Sequence, residues 1–323
     1  MMKIIAKLYR ILVQIFCIPI FLGDFFSKET GKEYQVSFWT KLSLVIKMIL
    51  NNGRIVSGSS FIEHLAIATA ILNTPKALEG VVVECGTYKG VSATNLSLIC
   101  ALCNRTLEIF DSFEGLPEPH AEDKEHALMS SKERHTYTKG SWCGTLEEVK
   151  ENIKRYGRIE VCRFNKGYFE NTLPHFNKKC ILVWVDVDYR TSLETCVKYL
   201  WPLLQNDCFF FSHEVGHMEI ASLFFSEKWW KDNLNSAPPG LIGAGTGIGI
   251  KILTGSYFNS SLGYTIKNPT KTNYVEVPQL GGLKLNLKSS FQLASSGEAR
   301  SKNETKKASS QSKDYASAAS HDN

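Results

Sequence analysis

The 323-residue sequence has a single CxxC spacing (Cys100–Cys103) and no second one, no basic run interleaved with aromatics, and no uninterrupted apolar stretch of bilayer length. Each absence removes a class of protein. A zinc ribbon needs two such pairs, so the nine cysteines build none, and their odd number fits reduced thiols in a cytoplasmic compartment. The net charge of +5 is small for this length, so no nucleic-acid partner is indicated. Spanning a bilayer takes about 20 consecutive apolar residues, and Pro19 and Asp24 cut the N-terminal apolar stretch short of that. No small-residue cleavage site marks a secretory signal. What remains, at 43% hydrophobic and 21% charged, is the composition of a soluble globular protein.

The N-terminus reads as an amphipathic helix. Lys3, Lys7, Arg10 and Gln14 line one face, and Ile4, Leu8, Ile11, Leu12 and Ile15 the other. Such a helix packs on the domain, joins an oligomer contact, or lies on a membrane surface as a peripheral anchor.

Residues 81–90, VVVECGTYKG, carry the most information. Three valines and Glu84 run into a turn on Gly86 and Gly90, and the helical run VSATNLSLICALC follows. A strand, glycine turn and helix of this kind brings backbone N–H groups close to a ligand. The spacing E-x-G-x-x-x-G departs from the dinucleotide fingerprint G-x-G-x-x-G. Glu84 at the strand end suits a cationic or hydroxyl-bearing ligand such as S-adenosylmethionine better than a pyrophosphate. About twenty residues on, TLEIFD at 106–111 reads as the next strand, ending in Asp111. An acid there accepts the ribose hydroxyls of a nucleoside.

Strand and helix candidates then alternate. Strands are expected near 159–164, 181–186 and 208–211, with helices at 60–72, 145–156, 192–203 and 218–230. This alternation specifies a parallel sheet covered on both faces. The segments 241–253 and 263–267 read as a terminal β-hairpin. Beyond about residue 288 large apolar side chains are almost absent, and that tail is expected to be disordered. The organisation expected is a helical extension at 1–59, one domain at 60–287 and a tail at 288–323.

Several strings now join in order: VVVECGTYKGVSA at 81–93, FDSFEGLPEP at 110–119, GTLEEVKENI at 144–153, KGYFENTLP at 166–174 and DVDYRTS at 186–192. Together they resemble the macrocin O-methyltransferase-like (TylF-type) class I methyltransferases, over roughly residues 81–227. The resemblance implies a Rossmann-like α/β fold with a mostly parallel seven-stranded sheet closing in an antiparallel hairpin. It implies S-adenosylmethionine as methyl donor and, as acceptor, a hydroxyl on a sugar or other small natural-product-type molecule. Carried over position by position, Glu84, Gly86, Gly90 and Ser92 belong to the donor turn. Asp111 is then the ribose acid, with Ser112 and Phe113 along the adenosine. Asp186 is the first carboxylate of a divalent-metal site.

The match then weakens. The family reads D-x-D-x-Y-x-S-T where this chain has Asp186-Val187-Asp188-Tyr189-Arg190-Thr191-Ser192, and Asp-Asp-Tyr where it has Ser212-His213-Glu214. Glu214 offers an oxygen to Mg²⁺ and His213 a softer nitrogen, so the metal is retained with altered ligands or lost. A bound metal at Asp186 would activate the acceptor hydroxyl, and a base would take its proton. His135 is the first candidate, in the long loop 116–142, with His120 and His126 as competitors. His213 is a rival base as well as a ligand, and His217 lies near it. That loop is expected to act as a lid or as a solvated surface. Trp229 and Trp230 pack the last helix or border the acceptor pocket. The alternative to an enzyme is a protein that keeps the fold and binds the donor or a partner without turnover. An NAD-dependent sugar enzyme is disfavoured by the missing second glycine.

Overall fold

The helices that open the chain take their bounds from local chemistry. In this computed structural model residues 22–125, 137–242 and 261–270 are described, all within the unit Met1–Thr270. Helix α1, Phe38–Arg54, starts where Ser37 Oγ accepts from Thr40 N–H at 3.2 Å. Its residues Leu44, Val45 and Met48 repeat every three or four positions and are buried in the same core as the sheet. The extension expected at 1–59 therefore contributes core residues. Helix α2, Phe61–Asn73, opens with a capping box in which Ser60 and Glu63 bond reciprocally.

The sheet runs β3-β2-β1-β4-β5-β6. Its strands are β1 Val81–Cys85, β2 Leu107–Asp111, β3 Cys162–Lys166, β4 Cys180–Val185, β5 Leu204–Ser212 and β6 Gly263–Ile266. The first five are mutually parallel, and β6 lies antiparallel to β5. β1 and β4 are buried almost throughout, as near-continuous apolar strands covered on two faces must be. Helix α3, Val91–Leu102, is buried on all sides from Val91 to Cys100 and packs at the centre of one layer. Helices α4, Leu146–Tyr156, α5, Arg190–Leu200, and α6, Glu227–Leu234, complete the layers.

Six strands are described where seven were expected. Most of the missing arm, residues 243–253, lies outside the described residues, and Ile242 at its start bridges Tyr264 in antiparallel fashion. The expected tail beyond 288 also lies outside them. Strand β3 begins three residues late because Ile159–Val161 forms a 3-10 turn. The helix expected at 218–230 is broken into Met218–Ala221, a 3-10 turn at Ser222–Phe225, and α6. The break falls at Ser226, whose side chain caps α6 through Trp229 N–H. Trp230 is fully buried, donates Nε1–H to the Leu223 carbonyl at 2.8 Å and stands edge-on to Trp201, so it serves packing. The eight described cysteines are all unpaired. Among the described residues no helix is long and apolar enough to cross a membrane.

Candidate functional site

Strand order reverses between β1 and β4, one leading outward to β2 and β3 and the other to β5 and β6. In open α/β sheets the crevice at such a switch point, beyond the carboxyl ends of the strands, is where ligands bind. The ladder continues one residue past each strand here. Gly86 N–H donates to Phe110 O at 2.9 Å, Asp186 N–H to Cys85 O at 2.9 Å, and His213 N–H to Val185 O at 2.8 Å. Three strand ends thus set Gly86, Asp186 and His213 side by side.

Two cavities flank this line. The larger, about 420 Å³, is bounded by Ser57–Ser59, the Gly86-Thr87-Tyr88 turn, Ser92, Asp186, Asp188, His213 and Glu214, with Tyr137 and Trp142 as an aromatic wall. The smaller, about 60 Å³, lies across the turn among Asp111, Ser112, Gly115, Tyr168 and Ser192. Gly86, Tyr88, Trp142, Asp186 and Asp188 border both.

Gly86 is required by the protein itself. It has φ +81°, and a Cβ there would stand 1.9 Å from the Asp186 carbonyl oxygen. Gly90, at φ +84°, is the N-cap of α3, and its Cβ would crowd Val149 at 2.9 Å. The sequence reading gave both glycines to ligand approach. Gly90 lines neither cavity, and close packing on α4 accounts for it.

Glu84 lies beneath the cavity wall and is fully buried. Oε1 accepts from Ser92 Oγ–H, whose residue lines the larger cavity, while Oε2 has no partner. Burial raises its pKa to about 8. Thr87 Oγ1, at the cavity wall, is also buried without a partner. Asp111 takes Thr87 N–H at 2.7 Å on one oxygen and Phe113 N–H at 2.6 Å on the other, clipping the β1 turn to the β2 loop. Ser112 borders the smaller cavity and donates to the Gly115 carbonyl at 2.7 Å. Phe113, expected along the adenosine, lines neither cavity. Its φ of +55° turns the ring into the core against Phe164.

Asp186, His213 and Glu214 form the expected cluster, with one ligand atom from each within 4.8 Å of the others. His213 Nδ1 lies 3.1 Å from Asp186 Oδ1 and 3.0 Å from Glu214 Oε1. Its Nε2 lies 3.5 Å from Glu63 Oε1. Burial would lower the His213 pKa, but these carboxylates outweigh it and hold the imidazole protonated well above its usual range. Burial would likewise raise Glu214, but bonds from His213 and His217 hold it at about 2. Asp188 titrates well above the carboxylate range, through burial and the neighbouring Asp186 and Glu214 charges. Tyr88, Trp142, Asp188 and Glu214 all have positive φ and all line the larger cavity. Strained backbone of this sort concentrates at functional sites.

His135 and His126 lie outside the described residues. His120 lines neither cavity; its N–H bonds Asp123 at 3.3 Å. The described ends of the 116–142 loop are anchored. Leu116 and Ser141 bond through the backbone at 2.8 Å, and Asp123 accepts from Thr191 Oγ1 at 2.6 Å. Asp188, the aromatic wall and Ser57–Ser59 were not singled out from the sequence. Only Asp188 had a local signal, standing in the quoted DVDYRTS string.

Behind Ser59 is a buried polar chain. Asn95 Nδ2 donates to His64 Nδ1 at 2.9 Å, which leaves Nε2 as donor to Ser59 Oγ at 2.9 Å. Burial lowers the His64 pKa to about 4, so the ring is neutral at pH 7. A histidine whose folded pKa is depressed contributes stability above its unfolded value near 6.5, and this is lost as pH falls towards the folded value. Between pH 7 and pH 4 the wild type is expected to lose about 3 kcal/mol more stability than His64→Gln in urea titrations. Parallel losses in the two proteins would refute the assignment.

The model of the macrocin-O-methyltransferase (TylF) family matches residues 53–235. Among solved structures the chain is similar to the O-methyltransferase NovP, at 18% identity and a TM-score of 0.51, over 68% of this chain and 88% of that one. It also matches the calicheamicin methyltransferase CalS11, at 12% identity and a TM-score of 0.47, over 70% and 92% of the two chains. A search of curated protein sequences found no match.

Proposed function

Given that the chain belongs to the macrocin-O-methyltransferase (TylF) family, we propose that its two cavities are the donor and acceptor halves of one methyl-transfer site. The enzyme is an S-adenosylmethionine-dependent O-methyltransferase. The proposal assigns the adenosyl group to the Asp111 and Ser112 side and the methionyl end to the β1 turn. The acceptor hydroxyl takes the larger cavity, beneath the aromatic wall. The observation that carries this reading is the fully buried Glu84 carboxylate, whose Oε2 has no hydrogen-bond partner, behind a cavity of about 420 Å³ lined by its partner Ser92. Buried polar atoms without partners are costly, and a donor bearing sulfonium and ammonium charges would stabilise the ionised carboxylate. The uncapped start of α3 suits the donor's carboxylate. A sugar or another small natural-product-type molecule fits the acceptor side, since Tyr88, Tyr137 and Trp142 offer flat faces to ring carbons.

In the transfer, the acceptor oxygen forms a bond to the methyl carbon as the sulfur–carbon bond breaks. The electron pair returns to sulfur, giving S-adenosylhomocysteine. Asp188, bordering both cavities with a raised proton affinity, is the base best matched to the hydroxyl. His213, held as a cation between Asp186 and Glu214, is a poor proton acceptor and instead fixes the two carboxylates. These three residues also fit a divalent cation in number and spacing, and their imidazole suits a softer ion than Mg²⁺. When bound, such an ion would polarise the acceptor hydroxyl.

Isothermal titration with S-adenosylhomocysteine at pH 7, in buffers of different ionisation enthalpy, tests the donor site. The ammonium of this product is cationic, so binding should expel a proton from Glu84, and affinity should rise towards pH 8. Glu84→Gln should bind with no buffer dependence. Binding without proton release in the wild type would sink the role of Glu84, and no binding would sink the donor site itself. Repeating the methyl-transfer assay with a chelator separates metal-assisted from metal-free chemistry.

A further inference from the structure

We propose that the outward face of α1, with the basic cleft beside it, docks on the surface of an anionic lipid membrane. The helix carries two apolar stripes, one buried and one exposed. Leu44, Val45 and Met48 face the core. Phe38, Trp39, Ile46, Ile49 and Leu50 face outward, and Trp39 is 74% exposed. At 100° per residue these five fall within one third of the helix circumference. Val56, just past the helix, and Leu102, at the end of α3, are exposed as well. Seven of the eleven exposed large apolar side chains among the described residues thus belong to α1 and its immediate neighbours. Soluble proteins rarely leave so much apolar surface in one place unless it has a partner.

The charge beside the stripe identifies the partner. Lys47 and Arg54 of α1 face Lys154, Arg155 and Arg158 around a cleft of about 250 Å³, and no acidic side chain lines it. Arg54 and Arg155 both lie 5.2 Å from the centre of the Tyr156 ring. The nearest carboxylate partner is Glu160, 3.9 Å from Arg158 and itself well exposed. Leu50 lines the cleft and also belongs to the apolar stripe, so the two surfaces are continuous. A helix presenting tryptophan and aliphatic side chains beside a concentration of cations matches the interface of an acidic bilayer. Lys3, Lys7 and Arg10 beside Ile4, Leu8 and Ile11 repeat that composition in the sequence before it. A second copy of the chain is the poorer occupant, because a two-fold contact over this surface would bring two cationic clefts together. Val56 directly precedes Ser57–Ser59, so the docking face adjoins the wall of the larger cavity along the chain.

Sedimentation of the full chain with phosphatidylcholine vesicles, with and without phosphatidylglycerol, tests this. The wild type is expected to partition onto the anionic vesicles only, and less so at high salt. The combined variant Lys154→Glu, Arg155→Glu and Arg158→Glu should lower that partitioning by about tenfold or more, and so should Trp39→Ser with Ile46→Ser. Because none of the five side chains lines either cavity, S-adenosylhomocysteine titration and melting curves should match the wild type. Three results would overturn the proposal. The first is wild type that stays in the supernatant with anionic vesicles. The second is binding of both variants like the wild type, which would move the contact to another segment. The third is a dimer in light scattering that Trp39→Ser dissolves while vesicles bind nothing, which would give the face to a second copy.

Discussion

Gly86→Ala is expected to lower stability by more than about 4 kcal/mol and to abolish S-adenosylhomocysteine binding. The added methyl would stand 1.9 Å from the Asp186 carbonyl oxygen, about half a normal contact distance. Neither side can yield cheaply. Asp186 N–H is bonded to Cys85 O at 2.9 Å, and Gly86 N–H to Phe110 O at 2.9 Å, so the ends of three strands are tied together. The φ of +81° adds left-handed strain of about 1–2 kcal/mol for any other residue. Urea unfolding and calorimetry on one preparation check both halves. An alanine variant that melts like the wild type and binds within a few fold would show that the β1–β4 junction is far more pliable than its bonding implies.

Asp188→Asn is expected to cut kcat by about 10²–10⁴-fold while the dissociation constant of S-adenosylhomocysteine stays within a few fold. Asparagine keeps the shape and the φ of +60°, which amide and carboxylate side chains both tolerate. It removes only the capacity to take a proton. Because burial and two neighbouring carboxylates raise the Asp188 pKa, the wild-type rate should climb with pH as the group ionises, and the variant should lose that limb. A variant that loses donor affinity but keeps kcat would move Asp188 from proton transfer to donor binding.

The sheet was largely legible in the sequence because its determinants are local. Three valines before Glu84, the glycine turn and the acid closing TLEIFD each mark a strand end without reference to the rest of the chain. The strand at 159–164 shifted because Ile159 and Val161 look like strand residues on propensity, yet their backbone closes a 3-10 turn. Ser226 ended a helix whose apolar spacing ran straight past it. The site was legible only where one strand end carried the chemistry, as at Asp186 or His213. The aromatic wall joins Tyr88, Tyr137 and Trp142 from segments about fifty residues apart, which no periodicity reveals. Phe113 lines neither cavity because one positive φ sends its ring into the core, while its neighbour Ser112 does border one.

Glu63 belongs at once to the beginning of a helix and to the charge balance of the site. One oxygen closes the first turn of α2 through Ser60 N–H at 2.7 Å, and the other lies 3.5 Å from His213. A chain drifting towards a new acceptor is therefore not free to rewrite this carboxylate for chemistry alone. Shortening it to aspartate would fray the segment that presents Ser59 and His64, and selection for specificity would meet selection for foldability at one side chain.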